Sequence, residues 1–358
     1  MRFIFKTDYG QDIRLFKHSG QAFWYGLLLL FMLSAPAWAG DYFLSQLSFV
    51  LVYAVAGLGL MVLSGYTGLA SIGHAAFLGV GAYVQAVLSA RGWPFPLTML
   101  LAAALAGSAG VVVGLPALRV KGIYLAIATL SFGFIVEEVL ARWESVTHGN
   151  SGLTVVSAQF FGADLGSSEA FYYLALGVCV LVTLGVLNLL RSATGRAFIA
   201  IRDSEISAQS MGIHLARYKT LSFALSAAIV GLAGALYAHK LRFISPDQFS
   251  IAQSSDLLLL VVVGGLGSVH GAFLGAIFLI TMPQLIALGK DWLPPAIGQA
   301  TGLQGLVYGL VLMAFVLFEP MGLYGRWLKI RTWLQLFPFY RRGMFKRQKS
   351  FMKSERLK

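Results

Sequence analysis

Few side chains in this 358-residue chain combine a type and a spacing that could do chemistry, and most of those few lie within apolar runs. His74 and His270 each follow a glycine-rich turn and a serine, in GYTGLASIGHAAFLGVGAY (65–83) and GGLGSVHGAFLGA (264–276). Neither has a second metal ligand three or four residues away, so no metal motif forms. A histidine inside an apolar bundle either faces a polar path or hydrogen-bonds a neighbouring helix, and both roles fit. Glu137 and Glu138 close another apolar run, where they either meet water or turn inward toward a polar solute. No ladder of carboxylates crosses the apolar zone, and the chain has no P-loop, HExxH motif or serine elbow. Covalent catalysis, ATP binding by a P-loop and a resident cofactor are therefore not expected; the chain reads as a non-enzyme.

The elements that must position these groups are apolar helices. The chain is 58% hydrophobic and 12% charged, with mean hydropathy +0.75. Its long uncharged runs have no polar face and no ten-residue alternation, which excludes a membrane-surface protein and a transmembrane barrel. The expected fold is all-α and polytopic, with about ten membrane-spanning helices. The runs are 22–39, 43–63, 68–90, 97–118, 122–140, 170–190, 220–239, 256–267, 271–289 and 301–319. Most approach the ~20 residues that cross a bilayer. The forty glycines suit close helix packing and broken helices.

Charge sets the expected orientation. The segments 1–20, 119–121, 191–219 and 326–358 hold 22 of the 27 Lys and Arg residues. Those segments belong inside by the positive-inside rule, which puts both termini in the cytoplasm. Residues 1–20 are then a cytoplasmic N-terminal segment, 21–325 the transmembrane domain and 326–358 a basic tail beside anionic lipid. The start, with Ala37-Trp38-Ala39 after an apolar run, fits a retained first span and also a cleaved signal peptide. Net charge +12 gathers in the tail, so no nucleic acid is implied. Cys179 is the single cysteine, which leaves no intrachain disulfide.

Two departures from plain spans stand out. The insert 191–219 carries five basic and two acidic residues between apolar runs. Asp203 or Ser204 can cap a short helix in it, Glu205 suits the first turn and Gly212 can end it. Such a helix offers a soluble partner a grip, and Ala208 is expected on the face that enters the partner's cleft. Broken or re-entrant segments are expected near 64–74 and 262–271. Unwound backbone survives in a membrane only inside protein or beside water. Gly65, Tyr66, Thr67, Gly68, Ser71, His74, Gly264, Gly267 and His270 are thus candidates for lining a translocation path, against tight packing without a ligand. The shared His-Ala/Gly-Ala-Phe-Leu-Gly at 74–79 and 270–275 suggests a parallel internal repeat. The outer loop 141–169 with THGNSGL at 147–153 is either a cover for a pore mouth or a plain connection.

These blocks, with LRVKGIYLAIATLSFG (118–133), GRAFIAIRDSEISAQSMGIHLARYK (195–219), GLAGALYAH (231–239) and VVVGGLGSVHGAFLGA (261–276), resemble the LivM-type permeases of branched-chain amino-acid ABC importers. The resemblance runs in order over roughly 45–320. It implies a second homologous permease, two ABC ATPase subunits that bind the ATP and Mg, and a periplasmic substrate-binding protein, in a bacterial inner membrane. It also implies that 205–212 matches the E-x-A-A-x-x-M-G coupling motif, with Ser207 in place of the first alanine. Arg202, Glu205, Ala208, Met211 and Gly212 are then the coupling residues. Phe134 and Glu137 stand where such permeases often have glutamate and arginine, which loosens the inference to leucine, isoleucine or valine. Permeases of this architecture are also associated with urea, amides and aromatic acids. A self-contained channel or carrier would make 191–219 an ordinary loop.

Overall fold

The computed structural model describes residues 19–118, 120, 122–157, 159–160, 163–164, 166–290, 302–319 and 321–336. The expected segment 1–20, almost entirely, and the tail beyond 336 lie outside the described residues. The fold is all-α. Its helices are α1 (Ser19–Leu33), α2 (Ala35–Trp38), α3 (Asp41–Leu60), α4 (His74–Ala90), α5 (Phe95–Gly114), α6 (Ile123–Arg142), α7 (Glu144–Thr147) and α8 (Ser168–Arg191). Next come α9 (Ala193–Asp203), α10 (Glu205–Ser210), α11 (Leu215–Leu241), α12 (Ile251–Gly264), α13 (Val269–Lys290), α14 (Leu303–Phe318) and α15 (Gly322–Leu336).

Among the described residues, six helices are long and apolar enough to cross a membrane: Asp41–Tyr66, Phe95–Gly114, Ile123–Arg142, Ser168–Arg191, Leu215–Leu241 and Val269–Gly289. Gly20–Leu33, His74–Ala90 and Gly305–Phe315 are apolar but shorter. Ten runs in sequence thus give six full-length helices, because the glycine breaks divide some runs into shorter helical pieces.

Helix α11 is the hub. It packs against α5, α4 and α3. The most apolar stretch of α11 is 67% buried and that of Asp41–Tyr66 is 72%, against 17% for α6. Two apolar helices cannot approach this closely without small residues at the contact. A Cβ on Gly81 of α4 would lie 2.0 Å from the Gly231 carbonyl oxygen of α11. Peripheral helices leave Ile123, Tyr124, Ile127 and Ile135 exposed, an apolar surface that suits lipid.

The two ends of the bundle differ. At one end the 141–169 connection folds over the turn after α11. Its strands are β1 (Leu153–Thr154), β2 (Gln159–Phe160) and β3 (Ala163–Asp164), and β1 pairs antiparallel with the later strand β4 (Phe243–Ile244). The Val155 N–H also donates to the Arg242 carbonyl at 2.8 Å. Residues 153–155 of the loop are therefore held against that turn. At the other end sit α9, α10 and both glycine breaks. Helix α1 runs between the ends: Tyr25 near its start meets His270, and the hydroxyls of Tyr172 and Tyr173 donate to the Met32 and Leu33 carbonyls at its finish. The first eleven residues of the expected tail, 326–336, continue α15, with Arg326 and Lys329 both paired to Glu319.

Candidate functional site

Ser204 caps α10: its hydroxyl accepts from the Ser207 N–H, and Asp203 instead pairs with Arg202. The helix ends as its sequence requires. Gly212 takes φ +83, its N–H donates to the Gln209 carbonyl, and the Ile213 N–H reaches back to Ala208. That is the paired-bond stop made by a left-handed residue after a helix. Sequence reasoning missed α9, whose cap is Ser192, with its hydroxyl accepting from the Gly195 N–H. The hydrophilic stretch has no apolar run to announce it, but Ser192 before mixed helix formers was the available sign.

The expected coupling residues do not share one face. Ala208 is 2% exposed, so the expectation that it enters a partner's cleft is corrected. It lies three residues after Glu205, on the face that α10 turns toward α11. The outward apolar residues are Ile206 and Met211, at 82% and 79% exposure. Glu205 also turns inward, where its carboxylate accepts from Lys219 of α11 at 2.6 Å. Lys219 is itself buried, so this pair fastens α10 to the hub helix.

Arg202 reaches furthest. Its guanidinium donates to the Gly65 carbonyl at 3.2 Å and to the Asp203 carboxylate. A Cβ added to Gly68 would stand 2.9 Å from Arg202 Cγ, and one added to Gly267 would stand 3.2 Å from its Nη1. One side chain of the insert therefore touches both helix breaks. The breaks also touch each other, with the Gly267 N–H against Met61 Sδ at 3.2 Å.

Each break has a local cause. After Leu60 the chain underwinds into a wider π-helical turn, Met61–Tyr66. Gly68 then takes φ +75, and non-helical backbone runs to His74. That backbone is held by protein: the Thr67 hydroxyl donates to the Val62 carbonyl at 3.0 Å, and the Ile72 N–H donates to the Thr129 hydroxyl at 3.1 Å. The second break is shorter. Helix α12 stops at Gly264, Gly265 turns at φ +117, and α13 begins at Val269. The carbonyl of Gly271 fills the space a Gly264 side chain would need.

The two histidines differ in surroundings. His74 is fully buried, with Nδ1 2.7 Å from the Ser71 hydroxyl and Nε2 2.8 Å from that of Ser226. Ser226 passes the chain of bonds to the Gly59 carbonyl, so His74 and Ser71 tie α4 to α11 and α3. His270 is exposed, 2.7 Å from the Tyr25 hydroxyl and stacked on the Tyr324 ring. Gly65 and Tyr66, the last two residues of the π-helical turn, are both buried. Among the described residues, no group of three or more His, Cys, Asp or Glu side chains could hold a metal ion.

Glu138 pairs with Arg142 at the covered end of the bundle, on α6. Sequence reasoning also passed over Asp256, which opens an apolar run on α12. A carboxylate in that position reads as an interface residue until its neighbours are known.

The family described as branched-chain amino acid transport system / permease component matches residues 42–316. The high-affinity branched-chain amino acid transport system permease protein LivM of Escherichia coli (strain K12) is 33% identical over 298 residues, covering 76% of this chain and 68% of that protein. The autoinducer 2 import system permease protein LsrC of Enterobacter sp. (strain 638) is 28% identical over 222 residues, covering 59% of this chain and 62% of its own. A probable branched-chain amino acid transport permease protein LivM of Methanocaldococcus jannaschii is 24% identical, covering 63% and 68%. No solved structure matches the chain. A match that runs through both helix breaks and the polar insert between them makes this chain a member of the branched-chain amino acid transport permease family.

Proposed function

We propose that the chain is the membrane-spanning permease subunit of a bacterial ABC importer that carries branched-chain or related hydrophobic amino acids across the inner membrane. It works with a second homologous permease, two ABC ATPase subunits and a periplasmic substrate-binding protein. ATP and Mg are bound on the ATPases. The end bearing α9 and α10 faces the cytoplasm, as do both termini, and the covered end with β1 and β4 faces the binding protein. The shorter apolar helices α1, α4, α12 and α14 complete about ten crossings in the assembled membrane protein.

The observation that carries this reading is the reach of Arg202 from the insert to both breaks. A loop without a task has no need of two capped helices, a buried lysine tether and a clasp on two unwound segments. Ile206 and Met211 give an ATPase an apolar grip on α10. Movement of α10 is passed to α11 through Glu205–Lys219 and to the breaks through Arg202. The breaks are where helices change direction most easily, so the path alternates its opening there. A ligand or partner shifts such an equilibrium only by binding the two states differently. The same architecture serves other small solutes, as the similarity to an autoinducer 2 permease illustrates.

Arg202→Ala in the reconstituted complex tests the reading. One charge-assisted hydrogen bond is worth ~1.5–3 kcal/mol, so uptake per ATP hydrolysed falls by about tenfold or more. Assembly and ATP hydrolysis persist. Uptake per ATP at the wild-type value would show that the clasp transmits nothing.

A further inference from the structure

A carboxylate held in an apolar helix needs a cation or strong donors nearby. Asp256 has neither. It is half-buried on α12, ahead of the wholly apolar stretch Leu257–Val263. It makes no hydrogen bond or ion pair with the described residues. Four other described carboxylates have a cation: Glu205 has Lys219, Glu138 has Arg142, Asp203 has Arg202 and Glu319 has Arg326. Of the helices packed on α12, α3, α4 and α14 contain no Lys or Arg. Helices α13 and α6 carry one only as their last residue, Lys290 and Arg142, and α15 carries Arg326, Lys329 and Arg331; among the described side chains none is paired with Asp256.

What surrounds Asp256 is polar but neutral. Tyr53 of α3 and Tyr308 of α14 both lie close enough to feel its charge. Gln253, three residues earlier on α12, donates to the Tyr53 hydroxyl at 3.0 Å. The Tyr53 ring meets Tyr237 edge-on at 6.2 Å. Tyr53 and Tyr237 also pack with Val52, Ala56, Leu78 and Leu257, with no space for a water between them in this conformation. Nine residues separate Asp256 from the break at Gly265, or roughly 14 Å of helix, close to half the ~30 Å apolar thickness of a bilayer.

We propose that Asp256 binds the α-ammonium group of an amino acid in transit, with Tyr53, Gln253 and Tyr308 supplying hydrogen bonds around it. This inference rests on the importer reading. The missing cation arrives with the substrate, and the phenol hydroxyls offer donors to the substrate carboxylate. The apolar lining beside Tyr53 takes an aliphatic side chain when the helices part. Such a site favours a zwitterion over a neutral amide, which has no cation, and over a simple carboxylate, which Asp256 repels. Binding without a permanent protein cation partner also lets the substrate leave.

The test uses a strain whose own copy of the gene is replaced by wild type, Asp256→Asn or Asp256→Glu. Initial uptake is measured for radiolabelled leucine, 4-methylpentanoate (leucine's skeleton without the ammonium group) and acetamide. ATPase activity of each purified complex is measured without substrate. The expected result is leucine uptake by wild type, a KM for leucine raised roughly tenfold or more in Asp256→Asn, and recovery in Asp256→Glu. A wild-type KM in an assembled Asp256→Asn complex overturns the assignment. Should Asp256→Asn fail to assemble, Asp256→Ser takes its place: a KM for leucine raised roughly tenfold or more that Asp256→Glu does not share supports the site, and a wild-type KM in assembled Asp256→Ser overturns it. Wild-type uptake of acetamide or 4-methylpentanoate but not leucine overturns the ammonium site and leaves an importer standing. No ATP-dependent uptake of any of the three overturns the importer reading itself.

Discussion

At the scale of single residues, the insert owes its footing to charges that face inward. Lys219 is buried and its partner Glu205 is only partly exposed. Removing one member of such a pair leaves an uncompensated charge, whereas replacing both with neutral groups relieves the desolvation penalty. Glu205→Gln therefore destabilises the purified protein by about 3 kcal/mol, and Glu205→Gln with Lys219→Met recovers most of that loss. Thermal unfolding midpoints of wild type, both single variants and the double variant measure the coupling. Simple additivity would mean that the pair contributes nothing. Glu205→Lys is correspondingly a poor probe of ATPase docking, because it sets two ammonium groups against each other. Ala208→Asp fails for a related reason, since it buries a carboxylate. Substitutions at Ile206 and Met211 are the ones that reach a partner without disturbing the fold.

At the scale of elements, the breaks were legible because glycine, serine and histidine interrupt runs that otherwise have no polar atoms. The end of α10 was legible at Gly212 for the same kind of local reason. What no local signal carried was the meeting of distant segments. Residues 65, 202 and 267 are far apart in sequence, and only packing brings an arginine of the insert onto two glycine turns. The roles of His74 and His270 likewise depended on neighbours: near-identical hexapeptides place one ring in a closed network and the other on an aromatic shelf. Lys219 and Asp256 were unremarkable in sequence because span ends commonly carry a charge. The cap itself yields a prediction. Alanine at φ +83 costs about 1–2 kcal/mol, while proline cannot adopt it and also removes the N–H that bonds Gln209. Hydrogen exchange at Met211 and Ile213 should accelerate in Gly212→Ala and further in Gly212→Pro, with membrane insertion normal. Unchanged protection in both would mean that the left-handed turn does not hold α10.

At the scale of the whole molecule, the bundle has a covered end and a clasped end. Two helix–break–helix units, α3 to α4 and α12 to α13, have their breaks at the clasped end. The basic residues predict that this end is cytoplasmic. With Cys179 replaced, single cysteines at positions 150 and 247 should react with an impermeant reagent in intact cells, and one at 206 should react only after lysis. Labelling of 206 in intact cells would invert the map. The most direct measurement is uptake of radiolabelled leucine by liposomes containing this chain alone, or the chain with its second permease and ATPases and with binding protein on the substrate side. The account predicts accumulation only in the complete complex, only with hydrolysable ATP on the side of α10, and none with the chain alone. Leucine flux through the chain by itself, or through the complex without ATP hydrolysis, would contradict it.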